Sequence, residues 1–361
     1  MRGRGGRVRS ARGLTLVEVV VAAGLTITLS ATLLIFVRMA AAAIRTQPER
    51  ADVQQRLRAT VDGLALRLEN AGAGPAAGGG SVPMARRVPV IFPQRRGPGG
   101  DPPLSAFADR FTVYTTPEGA ALAALAQDMA TVTAPIVLAS SPGCPLSTPT
   151  CRFAVGDTVL VFDATGAHDI VTVSAVGPST LDHAAAVSRP YLTGLGAAVT
   201  VVEVRSVFLD AARNQLRLTS PAGMNQPLAD NVTDFELTFF GAPDPPDAPR
   251  PPPGEDGCVI DAAGGPKLPG LQANWGSLVA LSPRSLSDGP VCGSGAAAFD
   301  VDLFRVRQVR FRLRAQAGDA SYRGAFARWF RRPGQATDVR MMVPDQEVTR
   351  DVTLTNLRTG Q

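Results

Sequence analysis

"RGLTLVEVVVAAGLTITLSATLLIFVR" occupies residues 12–38, and its reading decides the architecture. Between Arg12 and Arg38, the 24 residues 14–37 are apolar or small except for a single carboxylate, Glu18. About 20 apolar residues suffice to carry a helix across a bilayer. A charged side chain within such a helix costs roughly 2.5–3.5 kcal/mol on insertion scales, so an intramembrane acid points to function by default.

Upstream, Arg2, Arg4, Arg7, Arg9 and Arg12 sit in the first thirteen residues without an acid. They account for the whole formal net charge of +5, which leaves 31 basic against 31 acidic residues in the rest of the chain. Charge of this kind in a short leader reads as a cytoplasmic orientation signal rather than as a nucleic-acid surface. Residues 39–45, "MAAAAIR", also resemble a small-residue cleavage site, so a cleaved secretory signal peptide stays open as an alternative.

Downstream, Thr46 and Glu49 have capping-box spacing with Pro48 in the first turn, which predicts a second helix or a kinked continuation of the first. Val53, Leu57, Val61, Leu64 and Leu68 recur at helical spacing opposite Arg50, Arg56, Arg58 and Arg67. That apolar stripe requires a packing partner, most simply a sheet in the same domain. Asn70, Gly72, Gly74 and Pro75 end the segment.

From about Phe107 the chain changes to short runs of β-branched and aromatic residues, among them "RFTVYTT", "DTVLVFD", "DIVTVSAV", "VTVVEVRSVFL", "QLRLTS", "DFELTFF", "VRFRLRA" and "DVTLTNL". Residues 118–130, "EGAALAALAQDMA", predict the one further helix, and a turn is expected within 300–308. Residues 73–101 and 241–298 are rich in Gly and Pro and read as loops or partly disordered excursions that bury no core. The fold class is therefore α+β, a long N-terminal transmembrane and amphipathic helix followed by a β-rich antiparallel domain. The expected organisation is a leader at 1–13, a transmembrane and assembly helix at 14–37 and an amphipathic helix at 38–72. A Gly/Pro-rich loop at 73–106 and a β-rich domain at 107–361, with a Pro-rich insertion at 241–298, complete it.

Four cysteines, Cys144, Cys151, Cys258 and Cys292, match no zinc spacing. An even count behind an export signal favours disulfides. Cys144 with Cys151 and Cys258 with Cys292 is the preferred pairing of the three possible, the second closing the insertion as a flap; four reduced buried thiols are the alternative. With two histidines and neither GxSxG nor HExxH, the sequence presents no catalytic residues, no cofactor motif and no metal set. Asp163, His168 and Asp169 fall between two predicted strands and read as a hairpin turn. Asp244, Asp247, Glu255, Asp256 and Asp261 lack EF-hand spacing. Arg310, Arg312 and Arg314 alternate with Val309, Phe311 and Leu313, the pattern of a half-buried strand with a solvated face; nucleic acid as a partner has no further support.

The basic leader, Gly13-Leu14-Thr15-Leu16-Val17-Glu18 and the apolar helix behind it together resemble the class III signal of type IV prepilins and type II secretion pseudopilins. That resemblance implies cleavage after Gly13 by a prepilin peptidase, methylation of a new N-terminus at Leu14, and Glu18 as the acidic fifth residue of a mature chain of about 348 residues. Leu14 departs from the commoner aromatic first residue. More loosely, "VGDTVLVFD", "QPLADNVTDFELTFFG", "VRQVRFRLRA" and "RDVTLTNLR" resemble the segment order of PilW-type minor pilins and the J-type minor pseudopilin of type II secretion. The resemblance implies a pilin-like fold, partners that are other pilins met through the N-terminal helix, and inner-membrane lipid before assembly. It also implies a single-pass inner-membrane protein, N-terminus cytoplasmic and C-terminal domain periplasmic, that later enters a pilus or pseudopilus.

Overall fold

The computed structural model describes residues 15–74, 84–97, 99–117, 119–120, 122–141, 143–242, 245, 250–268 and 277–357. The leader, Gly13, Leu14, Asp244 and Asp247 lie outside the described residues. The chain divides into two compact units, one of Met1–Asp52 with Asp319–Pro344 and one of Val53–Gly318 with Asp345–Gln361.

A single α-helix, Leu16–Glu69, contributes to both units. Its 54 residues span about 80 Å at 1.5 Å per residue. The helix runs through Pro48, which removes the bond that the Ile44 carbonyl would have accepted. No new helix starts at Thr46, whose hydroxyl turns back onto the Ala43 carbonyl at 3.5 Å in mid-helix. Of the two expected outcomes, the structure takes the continuation.

In the larger unit the predicted stripe is buried, with Val53, Leu57, Val61, Leu64 and Leu68 each at most 5% exposed. These residues share one apolar core with residues of two antiparallel sheets, including Phe111 and Val207 from one and Phe235, Val309 and Phe311 from the other. The five-stranded sheet has the order Ile91–Phe92, Arg110–Thr115, Glu203–Asp210, Gln215–Thr219, Asn225–Asp230. The four-stranded sheet runs Val279–Leu281, Val232–Gly241, Val306–Ala315, Gln346–Thr353. The helix ends against the C-terminal segment, where Asn356 Nδ2 donates to the carbonyls of Glu69 and Ala71 at 3.0 and 3.2 Å. Those bonds satisfy acceptors that a helix C-terminus leaves open.

A six-stranded sheet, in the order Leu122–Ala124, Ala198–Val201, Thr158–Phe162, His168–Val176, Thr180–His183, Ile136–Val137, forms a wall between two cores. Alternate residues of Thr158–Phe162 point to opposite faces. Leu160 and Phe162 enter the main core, while Val159 and Val161 enter a second one with Ile136, Val173 and Val199.

Among the described residues of 118–130, the expected helix is not formed. Leu122–Ala124 is instead a strand paired with Ala198–Thr200, and Leu125 bridges Leu138. Ala123 and Leu125 face inward while Ala124 is exposed, so a period of two wins because an unpaired sheet edge lies beside this segment.

The two Gly/Pro-rich stretches also depart from expectation. Met84, Val88, Val90, Ile91 and Phe92 are core residues, as are Val259, Leu268, Leu281 and Leu286 of the insertion. Sparse apolar residues suffice here because the insertion is tied down. Cys258 is bonded to Cys292, and its backbone N–H donates to the Thr165 carbonyl at 2.6 Å. Gly166, at φ +86°, permits that approach, since a Cβ there would stand 2.5 Å from Cys258 Sγ.

In the smaller unit, Asp319–Pro344 forms a looped segment stitched by backbone hydrogen bonds. Gln335 N–H donates to Ala320 O at 2.8 Å, and Val343 N–H to Tyr322 O at 2.9 Å.

Candidate anchoring and assembly segment

The described part of the signal opens with a reciprocal cap. Thr15 N–H and its hydroxyl both donate to Glu18 Oε2 at 3.1 Å, and Glu18 N–H donates to Thr15 Oγ1 at 3.3 Å. With the helix starting at Leu16, this is a capping box, Thr15 at the N-cap and Glu18 at the third helical position. Sequence reasoning missed Thr15 as its partner, although Thr-Leu-Val-Glu has the required spacing.

Beyond the cap, the helix is long and apolar enough to cross a membrane. Thirteen large apolar side chains within 16–37, from Leu16 to Val37, are each more than half exposed. Leaving one such side chain in water costs about 1.5–3 kcal/mol, so the set costs at least about 20 kcal/mol, above the roughly 5–15 kcal/mol net stability of a domain. This face requires lipid or other helices to cover it.

Three threonines within the segment do not oppose burial in lipid. Thr26 Oγ1 donates to Ala22 O at 2.7 Å, Thr28 Oγ1 to Leu25 O at 2.9 Å and Thr32 Oγ1 to Leu29 O at 2.8 Å. Hydroxyls satisfied within their own helix need no outside partner in a bilayer.

The remaining sequence candidates resolve into structural roles. Cys144 is bonded to Cys151 and Cys258 to Cys292. Asp163, His168 and Asp169 flank a hairpin between Thr158–Phe162 and His168–Val176. Asp163 receives Thr165 N–H at 2.9 Å, and burial pushes its carboxyl above the usual range. Asp169 accepts from Ser188 N–H at 2.9 Å and from Tyr191 OH at 2.8 Å. His168 is buried between Phe92, Tyr114 and Phe299 rather than facing a cleft.

Arg310, Arg312 and Arg314 lie opposite the fully buried Val309, Phe311 and Leu313. Each is met by carboxylates: Arg310 by Asp351 at 2.6 Å, Arg312 by Glu236 and Asp234, and Arg314 by Asp345 at 3.0 Å. In the insertion, Asp256 pairs with Lys267 at 3.4 Å and Asp261 accepts Gly265 N–H at 2.7 Å. Among the described residues, no group of three or more His, Cys, Asp or Glu side chains is placed to hold a metal ion.

One groove of about 950 Å³ lies between the end of the helix and the five-stranded sheet, with Leu66, Arg67, Val113, Arg205 and Met224 among its lining. Burial, and then the neighbouring charge of Arg205, holds the Arg67 guanidinium below its ordinary pKa. Sequence reasoning did not find this groove, because its parts come from three separate segments, within 66–74, 113–119 and 203–226.

These features define a class, a β-rich protein carrying one exposed, membrane-length N-terminal helix. Comparison with protein-family models, with characterised proteins and with solved structures finds no match to this chain.

Proposed function

We propose that this chain is a minor type IV pilin of the PilW-like kind, a non-enzymatic subunit that takes part in pilus assembly within a tip or priming complex. A minor pseudopilin of type II secretion is the nearest alternative, since the same parts serve both machines. One observation carries the reading: a single helix is exposed and apolar over its first part, has one carboxylate at its start, and is buried over its second part in a β-rich core.

In this proposal the arginine leader orients the chain in the inner membrane, and a prepilin peptidase cuts between Gly13 and Leu14. Glu18 stands four residues from Leu14 in sequence, close enough for its carboxylate to meet the new amine there. It can pair there with its own N-terminus or with that of the neighbouring subunit. The exposed side chains then leave lipid for a bundle of like helices, while the C-terminal domain stays on the periplasmic side.

Glu18→Ala in the full chain, expressed with partner pilins, tests this reading. Membrane insertion should persist and co-purification with the partners should be lost; unchanged co-purification would overturn the proposal. The groove lined by Arg67, Arg205 and Glu203 supports a second reading, a signal-anchored periplasmic binding module, for which Glu18→Ala would leave ligand binding unchanged.

A further inference from the structure

Among the described residues of the smaller unit, the segment Asp319–Pro344 holds most of the arginines and aromatic side chains. It carries Arg323, Arg328, Arg331, Arg332 and Arg340 against Asp319 and Asp338, five positive charges to two negative. Its interior is closed. Phe330 and Met342 are buried over Gly324, where an added Cβ would stand 2.5 Å from Met342 Cε. Trp329 and Phe330 N–H both donate to Phe326 O, at 2.9 and 3.0 Å, forming a tight turn. That turn sends Phe330 inward and leaves Phe326 and Trp329 outside, 52% and 40% exposed, with ring centroids 5.5 Å apart.

The placement of this surface matters as much as its composition. Arg50 Nη2 donates to Met342 O at 3.3 Å, and Arg340 lines a small cavity with Met39, Ala43 and Thr46 of the helix. The apolar stretch ends at Val37, so at 1.5 Å per residue Met39 and Ala43 beside Arg340 lie about 3–9 Å beyond its end, and the Arg50 bond to Met342 about 20 Å beyond it. The polar layer of a bilayer begins at that end and is about 5–8 Å deep. Trp favours this depth, with its ring among the acyl ends and its N–H toward water. Arginine binds phosphate through a planar fork of donors, and basic clusters beside a membrane helix attract anionic lipid. Exposed arginines at 38 and 45 add to the same end of the helix.

We propose that Asp319–Pro344 is an interfacial anchor that lays Phe326 and Trp329 into the headgroup layer of an anionic bilayer, with its arginines on lipid phosphates. This inference rests on the helix being embedded in a membrane and is independent of the pilin reading. It gives the subunit a second point of attachment to the bilayer. The segment packs against the helix just beyond its membrane-length stretch, and its exposed aromatic residues are interleaved in sequence with arginines. That continuity favours lipid over a protein or nucleic-acid partner.

The test uses the full chain with Trp275→Phe, which leaves Trp329 as the only tryptophan, reconstituted into vesicles with brominated acyl chains. In phosphatidylglycerol vesicles the bromines should quench Trp329 fluorescence roughly twofold, and in phosphatidylcholine vesicles distinctly less. Arg328→Gln with Arg340→Gln should remove the difference between the two lipids, and Phe326→Ser should weaken quenching in both. If the protein floats with the vesicles but Trp329 is not quenched, the anchor is wrong while the membrane helix stands. Equal quenching in both lipids, or Trp329 shielded only when an oligonucleotide or a second protein is added, also overturns it. Failure to float overturns the membrane-embedded reading itself.

Discussion

His168 gives the β-rich unit a sensitivity to acid that can be worked out from its surroundings. It opens the strand His168–Val176, is 1% exposed, and has ring centroids of Phe92, Tyr114 and Phe299 at 6.1, 6.1 and 5.1 Å. Among the described residues, neither ring nitrogen has a hydrogen-bond partner. Burial, and secondarily the charge of Arg96, push the imidazole from its ordinary 6.5 down to about 3. The Gly166 backbone pulls the other way without reaching hydrogen-bond geometry.

Between those two values the unfolded chain binds a proton that the folded chain refuses, so stability rises with pH in this window and is lost on acidification. At about 1.4 kcal/mol per pH unit, going from pH 6.5 to 4.5 removes about 2.5 kcal/mol through this side chain alone. Replacing it by Phe keeps an aromatic ring in the cluster and removes the titration. His168→Phe should differ from the parent by about 1 kcal/mol or less at pH 7.5 and exceed it by about 2.5 kcal/mol more at pH 4.5. Urea unfolding of both full chains in mild detergent measures this. Taking the difference between them cancels buried carboxylates such as Asp163 and Asp300, which are common to both. A difference that is the same at both pH values would refute the reasoning.

The two disulfides should be unequal. Loops of 34 and 7 residues give about 4 and 2.5 kcal/mol in the chain-entropy account, so Cys258→Ser with Cys292→Ser should lower the urea midpoint more than Cys144→Ser with Cys151→Ser. Asn356→Ala removes both bonds to the end of the helix and should cost about 1–2 kcal/mol, with faster hydrogen exchange confined to the amides around Asn70.

Residue patterns reveal the fold wherever a period is long and uniform. The stripe Val53 to Leu68 faces a sheet core as its spacing requires, and most predicted β-runs are strands. "VTVVEVRSVFL" is legible as β but not as two strands, Ala198–Val201 and Glu203–Asp210, that leave one sheet for another at Val202. That division depends on which edges are open, which is a tertiary fact. The same holds for 118–130, where intrinsic helix preference yields to edge pairing, and for the insertion, where a few apolar residues and a bond from Cys258 to Cys292 replace a regular pattern. Glu18 stood out in the sequence as a lone charge, but its bond to Thr15 was hidden in plain spacing. The surface of Asp319–Pro344 was not legible, because its association with residues near Met39 and Arg50 crosses almost three hundred positions.

The most direct measurement is the intact mass of the protein isolated from membranes that contain a prepilin peptidase. The proposed function predicts a chain that begins at Leu14 and carries one added N-terminal methyl group. A chain that begins at Ala43 or Ile44, or one that retains its leader, would contradict it.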